Sequence, residues 1–116
     1  MYADDETRLR HMLDGAREAI AIAGRRARDD PQSDRVLALA LVKLIEIVGE
    51  AAAKVTRQYQ EAHPAVPWRQ IVGMRHVLVH DYDRIDFDVV WSVVTTDLPA
   101  LVAVLEPIVP PWQEPD

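Results

Sequence analysis

Residues 34–62 read DRVLALALVKLIEIVGEAAAKVTRQYQEA, and the spacing of the apolar residues in this stretch decides the fold. Leu37, Leu41, Leu44, Val48, Ala51 and Val55 recur at intervals of 4, 3, 4, 3 and 4, a seam suited to near-antiparallel helix packing. Val36, Ala40, Ile45, Ile47 and Ala52 add apolar surface off that seam. The spacing predicts one long helix over 34–62, apolar nearly all round and so buried on more than one side. In a chain of 116 residues the extra face is expected to meet a second copy of the protein. Lys43, Glu46, Glu50 and Lys54 form the charged stripe of this helix. The stripe reads either as a solvated face with ion pairs such as Glu50–Lys54, or as a source of carboxylates, Glu46 or Glu50, turned toward polar residues elsewhere in the chain.

On the N-terminal side, Leu9, Met12, Leu13, Ala16, Ala19, Ile20 and Ala23 keep the 3/4 spacing of an amphipathic helix over 5–26. Asp4 or Asp5 can cap its start, and Arg25, Arg26 and Arg28 suit the negative end of its dipole. That arginine run reads as a solvated helix end or as a phosphate-binding patch. A turn at Asp29–Ser33 leads into the long helix, with Ser33 as its cap.

On the C-terminal side, His63-Pro64-Ala65-Val66-Pro67 ends the long helix, and Pro67 suits the start of a third one at Trp68. This third helix is predicted to run to Asp81–Tyr82, burying Ile71, Met74, Leu78 and Val79, with Gly73 permitting a close approach or a bend. Asp86 caps a fourth helix over 87–98 that packs Val89, Val90, Trp91, Val93 and Val94 inward. The β-branched run Val89–Thr96 also suits a strand, but a single strand would have no partner in this chain. Pro99 is expected to kink or restart the helix, leaving a short piece at 100–106. The expected fold is all-α, a single helical domain over 1–106 with four or five helices in an up-down bundle. Residues 107–116, with four prolines, form an extended or loose tail.

The totals narrow the function. Apolar residues make up 49 % of the chain, enough for a core, and charged residues 28 %, ordinary for a soluble globular domain. No window reaches the roughly 18 uncharged apolar residues of a membrane span. The start MYADDETRLR is acidic where a signal peptide would be basic and then apolar, so a cytoplasmic protein is expected. Cysteine is absent, which removes disulfides, thiolate ligands and a cysteine nucleophile. The net charge of −6 counts against a broad duplex-binding surface and leaves one focused phosphate contact open.

The reactive side chains concentrate in Met74-Arg75-His76-Val77-Leu78-Val79-His80-Asp81-Tyr82. A guanidinium donates paired hydrogen bonds to phosphate and stabilises charge on its oxygens in a transition state. Histidine, with an ordinary pKa near ~6.5, moves protons around neutral pH. Together they form a kit for cleaving a phosphodiester, with a base acting on the ribose 2′-hydroxyl. The structural alternative is that Arg75 and the histidines only cap carbonyls at a helix end. His76 and His80 at i,i+4 could also chelate a metal with Asp81 or Asp83, but no clear third ligand follows, and no cofactor is expected. There is likewise no Gly-rich loop to cradle a nucleotide.

Arg75-x4-His80-x-Tyr82 resembles the signature of the HEPN superfamily, specifically the HepT-like toxins of prokaryotic toxin–antitoxin pairs. Val48-Gly49-Glu50-Ala51-Ala52, Val66-Pro67-Trp68 and Asp97-Leu98-Pro99 match the family's habits in the same order, so the resemblance spans roughly 5–106. It implies a metal-independent endoribonuclease that acts as a homodimer, cleaving RNA such as tRNA, with the motifs of two protomers lining one composite cleft. Carried over, Arg75 would bind and polarise the scissile phosphate, and His80 would be the general base or acid. His76 stands where the family commonly has asparagine, and either adds a proton-transfer group or replaces a hydrogen bond. Asp81 and Glu50 would support the site. Tyr82 matches the tyrosine that a partner nucleotidyltransferase antitoxin adenylylates, and alternatively closes the motif helix with its hydroxyl. The competing function is a non-catalytic helical module that binds a nucleotide or a partner protein through Arg75.

Overall fold

The computed structural model describes residues 3–25, 35–76 and 85–111. Among them every element is helical: α1 (Ala3–Gly24), α2 (Arg35–Ala53), α3 (Arg57–Ala62), α4 (Trp68–Met74), α5 (Phe87–Ser92), a π-helical turn (Val93–Asp97) and α6 (Leu98–Leu105). The all-α bundle expected from the sequence is what the chain forms.

The core is built around α1, whose Leu9, Met12, Leu13, Ala16, Ala19 and Ala23 are buried. One side of α1 packs on α2 and the other on α6. Both neighbours run antiparallel to it. Asp5, near the start of α1, binds Thr56 beyond the end of α2. At the far end of the second pair, Arg17 bridges Glu106 at 3.0 Å and Arg10 donates to the Pro110 carbonyl at 2.7 Å. Midway along α1–α2 the helices approach closely, because a Cβ on Gly15 would lie 3.0 Å from Val48 Cγ2.

The expected helix over 34–62 is two helices. Its seam is buried as predicted except for Leu44, which is half-buried, but the chain leaves the helix at Ala53 and re-enters at Arg57. Thr56 drives the break. Its hydroxyl accepts the Tyr59 N–H at 3.2 Å as the cap of α3. Its own N–H and Oγ1–H donate to the two Asp5 carboxylate oxygens at 2.8 and 2.7 Å. Gln60 Nε2 then reaches back to the Ala52 and Val55 carbonyls at 3.2 and 3.1 Å, satisfying acceptors left open by the end of α2. Asp5 is therefore no cap for α1, which already begins at Ala3. It is 1 % exposed and clamps the α2–α3 break. Lys54 falls in the same break, so the i,i+4 ion pair expected with Glu50 does not form.

Asp86 caps α5, its Oδ1 accepting the Val89 N–H at 3.2 Å. Val90, Val93 and Val94 are buried, and Val89 and Trp91 half-buried. Pro99 does not interrupt the helix, which is continuous over Phe87–Leu105. A proline offers no N–H to the carbonyl four residues back, and its ring collides with it. The π turn just before it widens the helix by bonding the Leu98 N–H to the Val93 carbonyl, and Thr95 Oγ1 donates to the Trp91 carbonyl at 2.7 Å. This continuity yields a run of 19 residues that is long and apolar enough to cross a membrane by length and composition, which the expected break at Pro99 had hidden. The helix carries Asp88 and Asp97, and its Val90, Val94, Leu98, Leu101 and Leu105 lie in the core. Packing continues past 106, with Val109 buried, so residues 107–111 are no loose tail. Residues 112–116 lie outside the described residues.

Candidate active site

The motif is positioned by the corner between α3 and α4. Tyr59 on α3 stacks on His63, ring centroids 3.9 Å apart, and meets Trp68 of α4 edge-on at 6.2 Å. Trp68 Nε1 donates to the His63 carbonyl at 3.0 Å, pinning the first residue of α4 to the corner. Trp68, Ile71 and Met74 are the buried face of this helix. Burial, and then the nearby Asp5 carboxylate, hold the Tyr59 phenol above its ordinary pKa.

Gly49 seats α4 against α2. A Cβ there would lie 3.2 Å from the Ile71 carbonyl oxygen, 3.6 Å from Arg75 Cβ and 3.7 Å from the Val72 carbonyl oxygen. The glycine brings the backbone of α4, and with it Arg75, directly onto α2. Arg75 follows the last α-helical residue, Met74, in the right-handed helical region, and the His76 N–H bonds the Gly73 carbonyl at 3.0 Å in a tighter turn. The α-helix of the motif thus ends at Met74, short of the expected Asp81–Tyr82. His80, Asp81 and Tyr82 lie outside the described residues, as do Val77, Leu78, Val79 and Asp83.

Within the motif the structure brings Arg75 and His76 together. Arg75 Nε donates to His76 Nε2 at 3.4 Å, with Arg75 half-buried and His76 exposed. Among the described residues, neither Glu46 nor Glu50 bonds Arg75, and Glu50 is exposed. Among the described residues, no three His, Asp or Glu side chains come together as metal ligands. A cavity of about 470 Å³ opens between α4 and the α5–π segment, between Gln70, Gly73 and Met74 on one wall and Asp88, Ser92 and Asp97 on the other. Its two carboxylates suit it poorly to a phosphate, which leaves the Arg75 end of α4 as the cationic part of the site.

Sequence reasoning missed Gly15 and Gly49 as contact points, and Asp5 and Thr56 as a clamp. The small residue inside the apolar run at Val48-Gly49 was the available signal for the second. A threonine three positions before Tyr59 was the signal for the clamp.

The class of protein in hand is an all-α bundle that sets an arginine–histidine pair at the end of a short helix, backed by a glycine on the long one. The family model described as "Ribonuclease HepT-like" matches residues 12–108, and the chain belongs to that family. It is similar to "Putative RNase TTE0752" of Caldanaerobacter subterraneus subsp. tengcongensis, 36 % identical over 73 residues, 63 % of this chain and 65 % of the relative. It is also similar to "Probable ribonuclease HepT" of Thermococcus cleftensis, 34 % identical over 73 residues, 63 % of this chain and 66 % of the relative. The match thus spans slightly less than two thirds of these curated relatives. No solved structure matches the chain.

Proposed function

We propose that the protein is a metal-independent endoribonuclease, the toxin of a toxin–antitoxin pair. The observation that carries this reading is the placement of Arg75. It is half-buried against the α2 backbone at Gly49, and among the described residues its terminal amino groups bond no side chain or carbonyl, leaving a paired donor edge for a phosphate. Membership of the HepT-like family and the ribonuclease names of its relatives point the same way. In the mechanism proposed, Arg75 binds the scissile phosphate and stabilises its developing charge. His80 removes the 2′-hydroxyl proton or returns one to the leaving oxygen. The products would be a cyclic phosphate and a free 5′-hydroxyl.

The working form is proposed to be a homodimer through α2 and the motif region. Val36 is 77 % exposed and Leu39 46 % exposed, the large apolar side chains that α2 leaves in solvent. Together with Lys43, Glu46, Glu50 and Ala53 they make a 3/4-spaced stripe on the helix that also seats Arg75. Pairing two such helices would bring two copies of Arg75 toward one cleft and concentrate positive potential in an acidic protein. A nucleotidyltransferase antitoxin adenylylating Tyr82 would place an anion in that cleft and repel RNA.

The test is cleavage of a labelled tRNA pool in EDTA by wild type, Arg75→Ala and His80→Ala. The expected result is cutting by wild type alone, with both variants at least about 100-fold slower, as expected for loss of a transition-state contact or a proton-transfer group. Equal and undiminished RNA in all three would overturn the enzyme reading.

A further inference from the structure

The Arg75–His76 contact has a chemical consequence. Arginine has five N–H donors and no acceptor, so the nitrogen of His76 that faces Nε must be the lone-pair nitrogen. Donation from Nε to this nitrogen requires an imidazole whose ring proton is on Nδ1. A protonated ring has no acceptor and adds a like charge. With Nε satisfied by His76, the donors remaining on Arg75 are those of the two terminal amino groups, the edge that matches two phosphate oxygens. The same contact occupies the His76 lone pair, so this nitrogen is not available as a base.

We propose that His76 is a positioning residue: its neutral imidazole holds Arg75 by the Nε–H and so presents the terminal edge of the guanidinium to the phosphate. This rests on the ribonuclease reading for its consequence, though the contact itself does not. It resolves the two roles open for His76 in favour of a hydrogen-bond acceptor. A loose arginine side chain loses rotamer entropy when it is fixed on a ligand, and a half-buried stem with one fixed donor would be pre-ordered for its ligand. The charged groups on α4 and on the elements packed against it include, among the described residues, Arg69 on α4 itself, Glu46 and Glu50 on α2, and Asp88 and Asp97 across the cavity that α4 lines. Among the described residues none of these bonds Arg75 or His76.

The test uses the full chain and three readouts. The first is cleavage by His76→Asn, His76→Gln and His76→Leu, each checked for an unchanged circular dichroism melt. Asparagine and glutamine retain an acceptor and leucine does not. The expected result is a loss of at least about tenfold in kcat/KM for the leucine variant and recovery to within a few-fold of wild type by at least one amide. Leucine matching wild type would make His76 a bystander. Both amides failing as badly as leucine would make it a proton-transfer group. The second readout is the affinity of a short labelled RNA oligonucleotide in a His80→Ala background, which should weaken on adding His76→Leu and recover with the amide. The third is the imidazole tautomer by nitrogen NMR: Nδ1–H in wild type, shifting toward Nε2–H in Arg75→Met. An unchanged tautomer overturns the contact. If wild type cuts no RNA, the ribonuclease reading fails, while the tautomer and oligonucleotide results still decide whether His76 holds Arg75 for a phosphate.

Discussion

Asp5 is, among the described residues, the one charged side chain the fold buries, and both its oxygens are used. Replacing it with alanine would leave the Thr56 N–H and hydroxyl without their acceptor in a nearly dry place. We expect Asp5→Ala to lower the unfolding free energy by about 2–3 kcal/mol in urea titration. Asp5→Asn should lose less, because its carbonyl can still accept from the Thr56 N–H. Tyr59 stands close by, and its phenol is held above its ordinary pKa of about 10 by burial first and the Asp5 charge second. The folded state therefore keeps the phenolic proton to higher pH than the unfolded chain does. Above about pH 10 the native state binds more protons than the unfolded one, so stability falls as pH rises. Below that pH the contribution is fully present. Tyr59→Phe should flatten this alkaline decline, measured as melting temperature from pH 8 to 11. A slope unchanged by the substitution would assign the decline to other groups.

At the scale of elements, the site depends on how closely α4 lies on α2. Gly49→Ala would press a methyl group to 3.2 Å from the Ile71 carbonyl oxygen, and a backbone atom yields poorly. The expected cost is about 1–3 kcal/mol for a shifted α4, with RNA cleavage falling further than that destabilisation explains, because Arg75 moves with the helix. Gly24→Ala is the control: nothing lies within 4 Å of its added Cβ, and alanine is the better helix former by up to ~1 kcal/mol. Activity equal in the two variants would uncouple the α2–α4 approach from the site. The burial of α1, α2, α4 and α5 was legible in the sequence, since each keeps its apolar spacing. The break at Thr56 was not, because Leu41, Leu44, Val48, Ala51, Val55 and Tyr59 continue one helical phase across it. Periodicity registers phase and is blind to a break that preserves it. The π turn was hidden for a related reason: proline signals a missing N–H, while the widened turn that accommodates it leaves no mark in the apolar pattern. The Arg75–His76 contact was legible as adjacency only, since neighbouring side chains on a helix ordinarily diverge, and it is the tight turn at Gly73–His76 that lets them meet.

At the scale of the whole molecule, two electrostatic demands oppose each other. Each copy carries a net charge of −6, so two copies repel, and added salt screens that repulsion and favours association. Binding of RNA phosphates to a few arginines weakens with salt, by a slope of about −0.7 per phosphate neutralised on a single strand. A homodimeric ribonuclease of this charge should therefore show cleavage that first rises and then falls with ionic strength when the protein is dilute. At concentrations where dimer already dominates, only the fall should remain. The same surface supplies the control. Leu39→Lys places a charge in the exposed apolar stripe of α2 without touching the core, since Leu39 is already 46 % exposed. It should shift the sedimentation profile toward monomer and suppress cleavage in dilute solution, with a melting temperature near that of the wild-type monomer. A variant that stays as associated and as active as wild type would remove α2 from the interface. It would also remove the proposed route by which two copies of Arg75 meet.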